Sequence, residues 1–229
     1  MMNIKKKIFN LFPLVILALA NPLYAGIQLD TSRIIFEKGE KAVKYGVSNH
    51  YSVPALASAI VTTYDGKPTN AFAVSPSLFQ IQPGATSQGQ IIQLQELPQD
   101  KETVFWLKVK TVIADDKNKN DESEKNALEF AIAQNIKLFY RPKSVKDTCK
   151  YAANNLIFER GHKGVTVINN SKVSVSLVSV KEGGKEYKVG ETIMPESRID
   201  IGILLSGSNF IINYVDEYGN FIDLPVEIK

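Results

Sequence analysis

Along most of the chain, apolar and polar residues alternate in short runs, and residues that turn a backbone separate the runs. Val43-Tyr45-Val47, residues 55–61, residues 91–94 and Phe105-Leu107-Val109 read with a period of two, which predicts half-buried strands. Between them stand Glu37-Lys38-Gly39-Glu40, Asp65-Gly66-Lys67-Pro68 and Gln82-Pro83-Gly84, whose Gly, Pro and Asp suit tight turns. The second half repeats the style with Val165-Thr166-Val167-Ile168 and residues 173–180, 210–215 and 221–228, broken at Glu182-Gly183-Gly184 and Tyr218-Gly219-Asn220. Many short, evenly spaced strands, and no amphipathic helix of useful length, predict an all-β chain built of sandwiches.

Three segments break this pattern. Residues 1–25 set Lys5, Lys6 and Lys7 ahead of an apolar run over residues 8–20, with a small residue for cleavage at Ala25 or, earlier, at Ala20. They read as a secretory signal, and the run is shorter than the about 20 residues of an ordinary membrane-spanning helix. Residues 115–126 carry Asp, Glu, Lys or Asn at eleven of twelve positions, which predicts a mobile loop. The loop feeds residues 127–141, long for a strand, with Leu128, Phe130, Ile132, Ile136, Leu138 and Tyr140 on one parity. Bulky apolar residues on a strand edge beside such a loop suggest a partner that adds to that edge. Residues 141–147 are polar and proline-stiffened, as linkers are, so the chain divides into a signal at 1–25, a first domain at 26–145 and a second at 146–229.

Composition removes several function classes. The formal charge of +3 belongs to the signal, because without its three lysines 24 basic residues face 24 acidic ones. A nucleic-acid partner would need a lasting basic excess to neutralise phosphates, so none is expected, and neither is stable membrane insertion. Cys149 is the single cysteine and has no internal disulfide partner, so the exported protein folds on packing alone. With only His50 and His162, no metal-spaced cluster, no phosphate loop and no serine elbow, no enzyme, metal or cofactor is expected.

The residues then resemble a known family, the PapD-like chaperones of the chaperone-usher pathway, over nearly all of the mature chain. The matching blocks are Leu29-Asp30-Thr31-Ser32-Arg33-Ile34-Ile35-Phe36; Ser48-Asn49 followed by Pro54; Val74-Ser75-Pro76-Ser77-Leu78-Phe79 with Gln82-Pro83-Gly84; Leu97-Pro98-Gln99-Asp100-Lys101-Glu102 with Phe105-Trp106-Leu107; and Ile136-Lys137-Leu138-Phe139-Tyr140-Arg141-Pro142. The second domain is similar more loosely, through Met194-Pro195 and Asn213-Tyr214-Val215-Asp216-Glu217-Tyr218-Gly219. The chain departs from the family at Lys101, at Asn169-Asn170-Ser171 and at Glu217.

The resemblance implies two immunoglobulin-like β-sandwich domains set at an angle around a cleft, in a periplasmic chaperone that binds, folds and caps pilus or fimbrial subunits and delivers them to an outer-membrane usher. By donor-strand complementation the last strand of the first domain would fill a subunit's groove with Leu128, Phe130 and Ile132. Arg33 and Lys137 would grip the subunit's terminal carboxylate, and Glu102, Arg141 and Glu217 would form an interdomain ionic network. When free, the donor edge is open to self-association. The missing cysteine pair around the loop leans toward a rigid pilus over a thin fibre. Lys137 has the opposite parity from Leu128, Phe130 and Ile132, which either a bulge or a cleft on the other face of the strand would reconcile. An alternative function is a secreted immunoglobulin-like adhesive or carbohydrate-binding module, although the sole tryptophan, Trp106, sits inside a strand run rather than in a loop.

Overall fold

The computed structural model describes residues 26–113 and 131–228; the expected signal at 1–25 and the charged loop at 115–126 lie outside the described residues. Nine strands make up the first half: β1 (Ile27–Leu29), β2 (Arg33–Glu37), β3 (Ala42–Asn49), β4 (Ala55–Thr63), β5 (Phe72–Ser75), β6 (Leu78–Ile81), β7 (Thr86–Gln93), β8 (Thr103–Ile113) and β9 (Ala131–Arg141). They form one sheet in the order β1-β3-β7-β5 and another in the order β2-β9-β8-β4-β6. The second half contains helix α1 (Cys149–Asn154) and strands β10 (Ile157–Gly161), β11 (Gly164–Asn169), β12 (Val175–Glu182), β13 (Lys185–Ile193), β14 (Ser197–Asp200), β15 (Asn209–Val215) and β16 (Phe221–Glu227). Its sheets run β10-β11-β14 and β13-β12-β15-β16.

Each pair of sheets closes on its own core. Phe36, Tyr45, Leu107 and Tyr140 are buried in the first, and Phe158, Leu177, Ile193 and Ile212 in the second, so the chain is two immunoglobulin-like sandwiches in series. The period of two holds where it predicts a buried face: β4 turns Ala55, Ala57, Ala59 and Val61 inward and leaves Leu56 and Ile60 outside. Two elements escape it. β13 is an edge strand with most of its residues exposed or half-exposed; Tyr187 and Val189 pack on the second core beside Ile193, but charged neighbours and a register shift against β12 break up the pattern. Helix α1 is six residues long, too short for helical periodicity, and starts on the Thr148 side chain, which accepts from the Tyr151 N–H at 3.1 Å.

One strand switch sets up the functional region. The chain pairs with β3 as β1, Ile27 facing Asn49, and after residues 30–32 joins the opposite sheet as β2, parallel to β9, with Arg33 facing Lys137. β2 has only five residues and covers β9 from Lys137 to Arg141. Residues 131–136 of β9 therefore pair with β8 alone among the described residues.

Both sandwiches use the same buried asparagine device. At the end of β3, Asn49 accepts from the Tyr51 N–H at 2.9 Å and donates to the carbonyls of Val53 at 2.8 Å and Ile81 at 3.1 Å. At the end of β11, Asn169 accepts from the Ser171 N–H at 3.0 Å and donates to Val173 at 2.8 Å, Ile193 at 3.2 Å and Met194 at 3.0 Å. Each side chain satisfies backbone groups where strands give way to a turn. Asn49→Ala or Asn169→Ala strands those groups in the interior and should destabilise the protein by about 2–4 kcal/mol, several unmet groups each costing about 1 kcal/mol or more. Equilibrium denaturant unfolding would measure it, and a change below about 0.5 kcal/mol would contradict it.

Candidate functional site

The parallel pairing of β2 with β9 puts Arg33 and Lys137 side by side on one face. Each reaches across to the second sandwich: Arg33 Nη1 donates to the Val215 carbonyl at 3.2 Å and Lys137 Nζ to Ser176 Oγ at 3.1 Å. The Arg33 guanidinium lies 5.1 Å from the centre of the Phe139 ring, and Lys137 Nζ lies 5.9 Å from that of Trp106. Among the described residues neither cation has a carboxylate within 4.0 Å. Burial lowers the affinity of both for their charge-bearing proton, and burial together with the neighbouring Arg33 charge brings Lys137 down to about 8. The two cations line a cleft of about 270 Å³ between the sandwiches, together with Trp106, Ser176, Val178 and Phe221.

A second charge cluster joins the sandwiches behind the cleft. Glu102, just before β8, has a fully buried side chain; its Oε2 accepts from Arg141 Nε at 2.9 Å and Nη2 at 2.8 Å, and its Oε1 from the Ser174 N–H at 2.9 Å. Its own N–H donates to the Lys172 carbonyl at 2.9 Å. Arg141 Nη1 lies 3.5 Å from Glu217 Oε1, which also accepts the Cys149 N–H. Burial pushes the Glu102 carboxyl up, while the Arg141 charge and the Ser174 N–H pull it back. Burial and the Glu217 charge push the Cys149 thiol up to about 12, so it stays protonated and donates to the Val215 carbonyl at 3.4 Å. That carbonyl thereby receives both Cys149 and Arg33. Gly219, at φ +88°, passes so close to Ser32 that a Cβ there would sit 2.4 Å from its Oγ, which only glycine allows.

The geometry thus brings Arg33 and Lys137 together, and Glu102, Arg141 and Glu217 together. Ile132 is half-buried against the first core, while Leu128 and Phe130 lie outside the described residues. Pairing of β8 with β9 runs without a register shift from Thr103–Tyr140 to Val112–Ala131, so no bulge separates Ile132 from Lys137. They face opposite sides of one regular strand, and the cleft is on the side away from the first core. Ser176, Val178 and Phe221 escape sequence reasoning, because each is one ordinary strand position that becomes part of the cleft only through the interdomain packing.

The chain matches the family model for the N-terminal domain of pili and flagellar-assembly chaperones, PapD, over residues 26–146. It is 30% identical over 201 residues to the chaperone protein FimC of Escherichia coli O6:H1, covering 85% of this chain and 81% of that one. It is 29% identical over 201 residues to the chaperone protein FocC of Escherichia coli, covering 86% and 87%. Among solved structures it resembles the SafB chaperone, crystallised with the Salmonella enterica SafA pilin, with a TM-score of 0.78 and 25% identity over 90% of this chain and 97% of that one.

The buried Glu102–Arg141 pair has a direct consequence for stability. Arg141→Ala leaves an uncompensated buried carboxylate, and removing one partner of such a pair costs about 3–5 kcal/mol. Arg141→Ala should therefore unfold at clearly lower denaturant, while Arg141→Ala combined with Glu102→Leu should recover much of the loss. Equal destabilisation by the single and double variants would contradict the pairing.

Proposed function

The chain belongs to the pili and flagellar-assembly chaperones, and on that premise we propose that it is a periplasmic chaperone that captures pilus or fimbrial subunits and hands them to an outer-membrane usher. The observation that carries the reading is the cation pair itself. Arg33 and Lys137 stand in register at the point where β2 ends its cover of β9, so an anion they hold lies beside a strand edge that is open over residues 131–136 among the described residues. A pilus protein whose last residues run along that edge would present its terminal carboxylate to the two cations while its main chain pairs with β9. Strand addition supplies main-chain hydrogen bonds, and alternate side chains entering pockets fix the register.

In this reading Leu128, Phe130 and Ile132 face the subunit's groove; Leu128 and Phe130 each contribute about 1.5–3 kcal/mol when fully buried, and Ile132, already half-buried against the first core, contributes less. The face of β9 that carries Lys137 is then left to the carboxylate. The Glu102–Arg141–Glu217 cluster fixes how the second sandwich meets the first, which sets where Val215 and Ser176 hold the two cations. Its value lies in geometry more than in added stability, as is usual for buried ion pairs.

The test uses the intact chaperone expressed with a cognate pilus subunit. Arg33→Ala and Lys137→Ala should each weaken capture by about tenfold to a hundredfold, since each removes a charge-assisted hydrogen bond, and the double variant should be little worse because both serve one ligand group. Phe130→Glu should leave the chaperone folded and the subunit insoluble. Amidating the terminal carboxyl group of the pilus protein should reproduce the cation defects with wild-type chaperone. Full capture of the amidated protein would remove the carboxylate anchor from the account.

A further inference from the structure

The second sandwich carries a groove of its own, built without any residue of the first. A cavity of about 500 Å³ lies between helix α1 and the end of the edge strand β16, with Leu156, Ile157, Pro225 and Val226 as its apolar wall. Tyr151 of α1 lines it and is 53% exposed, while Cys149, Ala152 and Ala153 hold the other side of the helix in the core. A second cavity, of about 530 Å³, shares Pro225, Val226 and Glu227 with the first and adds Lys181 and Ile211. The two therefore adjoin across the end of β16, and each has the size of a ligand site.

The polar groups of the groove are biased toward acceptors. Asn154 and Asn155 donate their side-chain nitrogens to the helix carbonyls of Lys150 at 2.7 Å and Tyr151 at 2.8 Å, and Asp147 accepts the Lys172 N–H with one oxygen at 3.0 Å. What each keeps is an oxygen acceptor, and the Glu227 carboxylate adds to them from the β16 side. Such a surface suits a ligand dense in O–H donors and disfavours phosphates. It is not a bare anionic pocket, since the Asp147 charge also acts on the Lys172 ammonium. An added peptide strand fits poorly, because Pro225 has no N–H to give it and the bridge between Phe158 and Ile228 ties down the end of β16.

We propose that this groove binds a linear β-linked polysaccharide. Tyr151 and Pro225 pack on the C–H faces of its pyranose rings, while Asp147, Asn154, Asn155 and Glu227 accept its hydroxyl groups. A β-linked chain is an extended ribbon with apolar C–H faces and hydroxyl-bearing edges, so it needs an exposed aromatic surface flanked by acceptors. It also needs length, which the two adjoining cavities supply. The site goes beyond subunit capture and shares no residue with β9 or the cation pair, so a glycan held there leaves the donor edge free.

The experiment titrates the full, isotope-labelled chaperone with chitotetraose and with cellotetraose, read by amide NMR and calorimetry. Saturable binding at millimolar or lower concentration is expected, with shifts centred on α1 and residues 225–227. Tyr151→Ala should weaken it about tenfold, a loss of about 1.4 kcal/mol, and Tyr151→Phe should keep most of it. Thermal unfolding checks that Tyr151→Ala folds, and its capture of a pilus subunit should be normal, so that this reading and the capture reading fail separately. Chitotetraose bound ahead of cellotetraose assigns the site to an acetamido-sugar polymer; equal binding assigns it to hydroxyl groups alone, and either supports the proposal. No saturable binding of either sugar, or binding undiminished in Tyr151→Ala, would overturn it. So would an acetylated oligolysine peptide that shifts the same amides more strongly than the sugars, which would make the groove a cation site.

Discussion

Two like charges held side by side in a partly buried cleft are the constraint around which this molecule is arranged. In a parallel ladder, Arg33 and Lys137 emerge on the same face at the same level, and burial makes their repulsion stronger than it would be in water. Their partners in the chain are neutral oxygens, the Val215 carbonyl and the Ser176 hydroxyl, which soften the charge without cancelling it. A carboxylate, with two oxygens and a full negative charge, matches such a pair better than any neutral group. The strand switch after β1, the short reach of β2 and the unshifted register of β9 together place that demand at the end of a strand edge that is open among the described residues.

The second sandwich takes part in the same arrangement. Val215 and Ser176 belong to β15 and β12, so the two cations are positioned only if the sandwiches meet in one way. Glu102 fixes that meeting from within, being fully buried and bonded to Arg141 and to the backbone of Ser174. The hairpin after β15 depends on it as well: Glu217 caps the Cys149 N–H and approaches Arg141, and Gly219 lets the turn close against Ser32. The charge cluster and the cation pair are therefore two ends of one interdomain contact.

Much of the sandwich architecture was legible from the alternation in β4, β8 and β15, because each has one face on a core and one toward solvent, while β11 is buried on both parities. β13 was not, since its apolar positions Tyr187 and Val189 stand among charged residues and a register shift interrupts the strand, and neither was α1, since six residues give no period. The charged residues posed a different problem. Glu102, Arg141 and Glu217 lie far apart in sequence, and no spacing rule groups them; resemblance to a family supplied the grouping, and the structure supplies its distances. The parity conflict between Ile132 and Lys137 was visible in the sequence, but only the continuous β8–β9 register decides between a bulge and two faces of one strand. The asparagine pair, Asn49 and Asn169, was overlooked as a device because its partners are main-chain groups, which a sequence does not display.

The central claim is that the Arg33–Lys137 pair is matched to a carboxylate, and the titration of Lys137 tests it most directly. Its amine sits low, near 8, because burial and Arg33 disfavour the charged form, against about 10.4 for an ordinary lysine. A carboxylate ligand favours that form, so it must raise the pKa, and its affinity is full below about 8 and is lost as pH rises through the value in the complex. Site-resolved NMR of isotope-labelled lysine, with Lys137 assigned from Lys137→Gln, should show a midpoint near 8 in the free protein. A peptide derived from a pilus-subunit terminus and carrying a free carboxylate should move it up by about one unit or more, the effect of an opposite charge at close range, and the amidated peptide should leave it in place. A midpoint that the bound free-carboxylate peptide leaves unmoved would contradict the account.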